Sequence, residues 1–348
     1  MNDRKKQINR IRGVALISVM VAVAILSSIV LFIAYDQEID ISRTARILEK
    51  QQAIMYVLGM EEWAKNLLNQ DSADNDEDKE TDGQTDVWYN EEKLFTLDGI
   101  KLSGRIEALQ SKYNINNIAL HWPPGEKNKD NLTPEKQQAL EQEETYLTNL
   151  LKTLKIDKNT IDALLDWLDP DDKPRGNTDT ESNYYQNKDL PYKTANYILA
   201  SLDELKVIKG FDEGDLQAFE QLKNYLTVLP VKTAINVNLV DAKVLLTLDS
   251  RLTTALADQI IDARDGKPNK VFDKVEEFNS EVKSVIPQNG GQTGQPEERI
   301  QYQHLSVTND FFALITTLTF GDTEYRVRSL IERVERGDLR VIQREFIP

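Results

Sequence analysis

The chain reads as an α+β protein: one long N-terminal α-helix packed on an antiparallel sheet, with a large all-α segment inserted between the sheet's strands. Three observations carry that reading. From Val14 to Leu58 there is no Gly or Pro, and beyond Tyr35 apolar residues recur at helical spacing. Before Thr133 and after Gln301 the apolar pattern is that of strands, while everything between is helical in period. Neither set of strands buries a face alone, so the two share one sheet and the helical part is an insertion.

Taken in order, residues 1–13 form a basic leader and Val14 to Ala34 is a run of 21 residues without charge, Pro or Gly. At about 1.5 Å per residue that run spans a ~30 Å hydrocarbon core. Arg4, Lys5, Lys6, Arg10 and Arg12 precede it against Asp3, which places the N-terminus in the cytoplasm and the rest across the membrane. A secretory signal would cut near Ala22-Val23-Ala24, but the apolar run continues through ten more residues, and a plain signal anchor would leave Gly13 unexplained. The junction Arg12-Gly13-Val14 resembles a type IV prepilin signal, in which a dedicated peptidase cuts between Gly13 and Val14 and leaves the apolar helix in place. The cut would remove five basic residues and one acidic and take the net charge from −16 to −20. So acidic a chain repels nucleic-acid phosphates and suits hard cations. Without cysteine it has no disulfide, thiol nucleophile or thiolate metal site.

The helix is expected to continue, amphipathic, through residues 35–68. Residues 69–86 carry eight acids and one Lys with no large apolar side chain, the composition of a disordered loop. The first part of the sheet falls in 87–132, with a hairpin from Leu94 to Leu102 turning at Asp98-Gly99 and extended segments from Arg105 to Leu120. Within these, Tyr113-Asn114-Ile115-Asn116-Asn117-Ile118 alternates amides that bond nearby backbone and fix a turn.

The helical insertion covers 133–282. Thr133-Pro134-Glu135 gives an N-cap with Pro at the first helical position. Helices are expected over 134–154, 158–168, 191–205, 213–226, 241–248, 252–264 and 273–278, with a loop at 169–190. Residues 283–300, rich in Gly, Gln and Pro, form a flexible loop. In 301–348 the period returns to two: Phe312, Leu314, Thr316, Leu318 and Phe320, a turn at Gly321-Asp322, then two further strands.

Gly13-Val14, the Asn run at 113–117, Asp166-Trp167-Leu168-Asp169 with Asp171 and Asp172, and Glu181 with Tyr185 occur in that order. Leu190-Pro191-Tyr192 with Asn196, Leu202-Asp203-Glu204-Leu205, Gly210 and Ile235-Asn236-Val237-Asn238 follow. In this succession the chain resembles the minor pseudopilins of the general secretion pathway protein K family, from bacterial type II secretion. The resemblance implies a pilin-like fold, no enzymatic activity, processing and N-terminal methylation by the prepilin peptidase, and storage in the inner membrane with a periplasmic head. The implied partners are the I and J minor pseudopilins in a tip complex, the H and major G pseudopilins, the assembly platform, exoproteins and the secretin. Pilins place Glu at the fifth mature position, where it pairs with a neighbour's N-terminal amine; here that position is Ser18. A subunit with nothing above it has no partner for such a Glu, and the K family lacks it, which implies the tip of the pseudopilus.

Asp169, Asp171, Asp172, Asp179 and Glu181 lie within 13 residues, a density of hard oxygen ligands that suits Ca²⁺ or a solvated acidic loop. Family members bind calcium in this insertion, which implies Asp169, Asp171 and Glu181 as ligands. Asp179-Thr180 stands where the family has Gly-Ala, so Asp172 and Asp179 are the less secure members.

Two other readings compete. Leu202 to Phe278 resembles helix-hairpin-helix (SAM-like) modules, which would make the chain a membrane-anchored DNA-binding protein of the competence type. Its hairpin, Asp249-Ser250-Arg251-Leu252, lacks Gly and opens on an acid. An enzyme would need a constellation that the two histidines, His121 and His304, do not form in sequence.

Overall fold

The computed structural model describes residues 2–74, 81–89, 92–97, 99–176, 180–212, 216–249, 251–266, 269–285, 304–321, 323–335 and 338–347. They fall into two compact units, residues 1–60 with 320–323, and residues 61–319 with 324–348.

Apart from residues 320–323, the first unit is helix. α1 (Asn2–Asp74) is continuous for 73 residues, about 110 Å at its rise per residue, and contains Gly13 and Val14 without interruption. From Leu16 to Ile33 its large apolar side chains are exposed, and among the described residues this is the helix long and apolar enough to cross a membrane. Within the unit, Tyr56 packs its ring 6.1 Å from that of Phe320.

In the second unit the strands from the two ends of the chain do form one sheet. β1 (Lys93–Leu97), β2 (Ile100–Ala108), β7 (Phe311–Phe320), β8 (Thr323–Glu335) and β9 (Asp338–Ile347) lie in the order β1-β2-β7-β8-β9. β1 and β2 are the expected hairpin, with Gly99 at φ +80° where the turn needs a left-handed residue. β2 and β7 are antiparallel, Leu102 opposite Leu318, Ile106 opposite Leu314 and Ala108 opposite Phe312. The C-terminal part of α1 is fixed to the sheet through Glu61, which is 2% exposed: it accepts from Ser329 Oγ (2.7 Å) and from Arg344 Nε and Nη2 (2.7 and 2.8 Å). Trp63 meets Phe95 edge-on at 5.8 Å, and Ala64 and Leu68 are buried on the same face.

Between β2 and β7 the chain folds into helices around its own core. They are α2 (Asn117–Leu120), α3 (Pro134–Thr153), α4 (Lys158–Leu168), α5 (Ser182–Gln186), α6 (Leu216–Leu222), α7 (Ala242–Leu245), α8 (Thr254–Arg264) and α9 (Val275–Val285). Ile161, Leu164, Trp167, Val244, Ile260 and Phe278 meet in that core. Two very short parallel pairings tie the helices together: β3 (Tyr113–Asn114) with β4 (Leu226–Thr227), and β5 (Ile235–Asn236) with β6 (Leu305–Ser306).

The Asn-rich runs explain these pairings. Asn114 Oδ1 accepts from the amides of Asn116 (3.2 Å) and Leu229 (3.0 Å), and Asn116 both donates to Leu199 O (2.9 Å) and accepts from Leu199 N (2.8 Å). The second run repeats the device: Asn236 Oδ1 accepts from Asn238 N (2.9 Å), and Asn238 donates to Phe272 O (3.1 Å) and accepts from Phe272 N (2.8 Å). In each case a side-chain amide stands in for a strand neighbour and satisfies both groups of a distant peptide.

Several expectations are corrected. Residues 69–74 and 81–86 do not belong to a disordered loop: α1 runs to Asp74, and from residue 81 the backbone is folded, while 75–80 lie outside the described residues. Asp82, 2% exposed, pairs with Arg333 (3.0 Å) and takes the Asn309 amide, so one acid of the run is drawn inside by a cation from β8. Residues 191–200 are irregular and not helical. Pro191 blocks a ladder from the preceding turn, Asn196 is left-handed at φ +48°, and a capping box of Ser201 and Glu204 starts a short 3₁₀ turn, Leu202–Val207. The Arg105–Leu120 stretch is strand only to Ala108 and again at β3, because the Asn bonds turn it into α2. The last helix of the insertion is longer than expected, reaching Val285. Of the flexible loop at 283–300, residues 286–300 lie outside the described residues.

Candidate metal centre

α4 is the arm that carries the candidate ligands. Asp157 caps it, accepting from the amides of Asn159 (2.9 Å) and Thr160 (3.2 Å), and its buried face from Thr160 to Leu168 sets its end deep in the insertion core. At that end Asp166 is fully buried, and the following loop wraps around it. Its carboxylate accepts from the Arg175 amide (3.2 and 3.0 Å) and from the Thr180 hydroxyl. Asp166 is therefore the loop's internal anchor, with its oxygens used.

Asp169 terminates α4, 3% exposed, and divides its two oxygens. Oδ2 accepts from Arg175 Nε (3.2 Å) and Nη2 (3.0 Å), and the same Nη2 reaches Glu144 Oε1 on α3 at 3.0 Å. Oδ1 is buried without a hydrogen-bond partner. Glu181, at the head of α5 and 3% exposed, has both oxygens in that condition. Asp171, half-buried, accepts from the Lys173 amide at 2.7 Å. One carboxylate oxygen from each of Asp169, Asp171 and Glu181 lies within 4.8 Å of the others.

Asp172 is exposed at the rim, where it accepts from Asn196 Nδ2 (3.3 Å) and Ser182 Oγ (3.4 Å). Asp179 lies outside the described residues. Trp167 and Tyr185, with ring centroids 5.2 Å apart, join α4 to α5, and Tyr185 accepts from the Lys209 amide (3.2 Å). A cleft of about 520 Å³ opens beside the cluster, lined by Asp172, Glu181, Ser182, Lys193, Thr194 and Asn196 among others.

Desolvating a carboxylate oxygen without a donor costs on the order of 1–3 kcal/mol. Loss of solvent, with Asp171 and Asp166 nearby, pushes Asp169 up to about 7 against the pull of Arg175. Burial, then Asp166, Asp169 and the other acids of the loop, pushes Glu181 up to about 8. Hard, crowded, partnerless oxygens on a turn between two helices fit a Ca²⁺ ion, which takes six to eight oxygen ligands in flexible geometry. The structure thus brings together three of the acids singled out in sequence and holds a fourth at the edge.

Sequence reasoning missed Arg175 and Glu144, because neither an Arg in an acidic loop nor a Glu on a distant helix carries a ligand signature. Of the two histidines, His304 packs on a buried acid. His304 Nδ1 sits 2.8 Å from Glu143 Oε1, whose other oxygen accepts from Tyr113 OH at 2.5 Å, and His304 packs edge-on against Tyr146. His121 Nδ1 lies 2.6 Å from Asn117 O, and burial lowers its proton affinity. At the hairpin that resembles DNA-binding modules, Asp249 accepts from the amide of Arg251 (2.8 Å) and from its guanidinium (2.9 and 2.5 Å). The acid therefore takes the donors that would meet a phosphate.

Comparison with known proteins bears on the whole chain. A family profile described as "Type II secretion system (T2SS), protein K" matches residues 111–231. The chain is 27% identical over 337 residues to type II secretion system protein K of Pseudomonas aeruginosa, covering 96% of this chain and 92% of that protein. It is 27% identical over 345 residues to the protein of the same name from Pectobacterium carotovorum, covering 97% of each. Among solved structures it is similar to a chain of the crystal structure of the GspK-GspI-GspJ complex from the enterotoxigenic Escherichia coli type 2 secretion system. There the TM-score is 0.66 and the identity 22%, over 88% of this chain and 99% of that one, a likeness of fold.

Proposed function

We infer that the chain is a pseudopilin of the type II secretion protein K family, and we propose that it acts at the tip of the pseudopilus. The observation that carries the tip assignment is the insertion: roughly two hundred residues emerge between β2 and β7, which are neighbours in one sheet. A head enlarged in this way obstructs a subunit stacked above it. Ser18 agrees, since a helix with nothing above it needs no carboxylate to receive a neighbour's amine, and an unpaired one in the apolar core would be costly. The prepilin peptidase cuts between Gly13 and Val14, the apolar helix rests in the inner membrane with the head in the periplasm, and assembly draws it out. The crystal structure with the similar fold contains GspI and GspJ. The corresponding I and J pseudopilins are the partners of the tip complex here, followed by H and the major pseudopilin G, with the assembly platform below and exoprotein and secretin above.

Calcium belongs to this reading. Asp169, Asp171 and Glu181 would hold the ion, with Asp172 at the rim, and it would neutralise their charge while joining the end of α4 to the start of α5. Neither catalysis nor nucleic-acid binding is part of the proposal.

Deleting the gene from its native host tests the assignment. Export of type II substrates is expected to fall, and pseudopili to change in number or length, with both restored by the wild-type gene. Normal secretion with unchanged filaments would overturn it, as would failure of the chain to co-purify with the I and J pseudopilins of the same bacterium.

A further inference from the structure

We propose that Asn196 supplies a neutral oxygen ligand to the calcium site and thereby ties the irregular segment 190–200 to it; the proposal rests on the calcium reading above. The side chain of Asn196 is held from one end. Its Nδ2 donates to the backbone carbonyl of Asp171 (2.9 Å) and to Asp172 Oδ1 (3.3 Å), so its nitrogen is committed to two residues of the loop after α4. Its Oδ1 is buried and has no hydrogen-bond partner. It lines the same cleft as Glu181 and Asp172.

Eleven buried side-chain atoms lack a partner among the described residues, and four of them are Asp169 Oδ1, both oxygens of Glu181, and Asn196 Oδ1. All four are hard oxygens: Asp169 and Glu181 belong to the acidic cluster, and Asn196, ten residues beyond the end of α5, is bonded to Asp171 and Asp172 and shares a cleft with Glu181. A buried orphan acceptor costs free energy that a cation at this place would return. The amide also suits the charge balance. Asp169, Asp171 and Glu181 already carry three negative charges against a divalent ion, with Asp172 beside them, and an uncharged donor completes coordination without adding repulsion. Asn196 holds its position at φ +48°, a left-handed conformation in which Asn and Gly are the residues that settle.

The test uses the detergent-solubilised full chain, stripped with chelator and titrated with Ca²⁺ by calorimetry, with hydrogen exchange of peptides spanning 190–200 measured in parallel. Asn196→Gly removes the amide while keeping the left-handed backbone, and Asn196→Asp keeps an oxygen in place. The Gly variant is expected to bind Ca²⁺ at least about tenfold more weakly, a change of about 1.4 kcal/mol. It should also lose the calcium-dependent slowing of exchange in 190–200 that the wild type shows, whereas the Asp variant, with an oxygen in place but added repulsion, keeps the slowing and binds with an affinity between the two. An Asn196→Gly chain with wild-type affinity and wild-type protection overturns the role of Asn196 and leaves the calcium reading standing. A wild-type chain that takes up no Ca²⁺ overturns the calcium reading, and this inference with it.

Discussion

Arg175 shows how the acidic loop folds at all. Its amide closes on Asp166 and its guanidinium spans Asp169 and Glu144, so one residue offsets three acids while leaving Asp169 Oδ1 and Glu181 uncompensated. Those last groups give the metal-free protein a definite pH response. Asp169 at about 7 and Glu181 at about 8 hold protons more tightly in the folded chain than in the unfolded one, where ordinary carboxylates sit near 4. Between about pH 4 and pH 8 the folded state is therefore the more protonated, and stability falls as pH rises through that window. Calcium competes for the same oxygens and binds better as they lose protons. In chelator the melting temperature should drop between about pH 5 and pH 8, and saturating Ca²⁺ should remove most of the drop; equal slopes with and without Ca²⁺ would contradict this. Ligand density marked five acids in the loop, and the family resemblance implied Asp169, Asp171 and Glu181 among them. Asn196 escaped notice as a ligand because one polar side chain 15 residues beyond Glu181 has no local pattern to mark it.

At the scale of elements, what repeats was legible and what is tied by side chains was not. α3, α4 and the strands β7, β8 and β9 follow their periodicity to within a residue or two, and the β1–β2 hairpin turns at Gly99 as expected. The segment 191–200 had helical composition, but Asn116 takes hold of both peptide groups of Leu199 and so competes with a helical ladder. The buried Asp82 was misjudged for the same reason: Arg333, which neutralises it, lies 251 residues further on. Asn116→Ala tests the weight of such bonds. It removes the donor to Leu199 O and Leu229 O and strands the Leu199 amide, all buried. A loss of about 2–4 kcal/mol is expected, read as a lower denaturant midpoint at unchanged m-value; a loss under about 0.5 kcal/mol would mean that water replaces the amide at this position.

For the molecule as a whole, the sequence disclosed the architecture because each end of the chain carried strands that needed the other, and because a helical period filled the space between them. It did not disclose how the ends of the insertion are brought together. Gln110, 1% exposed, does this: its Oε1 accepts from the amides of Asp310 and Phe311 (3.1 Å to the latter), and its Nε2 donates to Ala234 O (3.2 Å). The consequence is kinetic. Ala108 and Phe312 are partners across the β2–β7 ladder, and an unfolded chain would have to close a loop of about two hundred residues to pair them. That costs roughly 2–3 kcal/mol more than closing one of ten, by the logarithmic dependence of closure entropy on length. If the insertion folds first, its two mouths already lie together and the sheet zips as though its halves were joined by a short turn. Gln110→Ala is then expected to slow refolding more than it speeds unfolding, a φ-value above about 0.5 in stopped-flow measurements. A value near zero would mean that the sheet pairs before the insertion has formed. In the expected order, the segment that most enlarges this protein is also what makes its longest-range pairing fast.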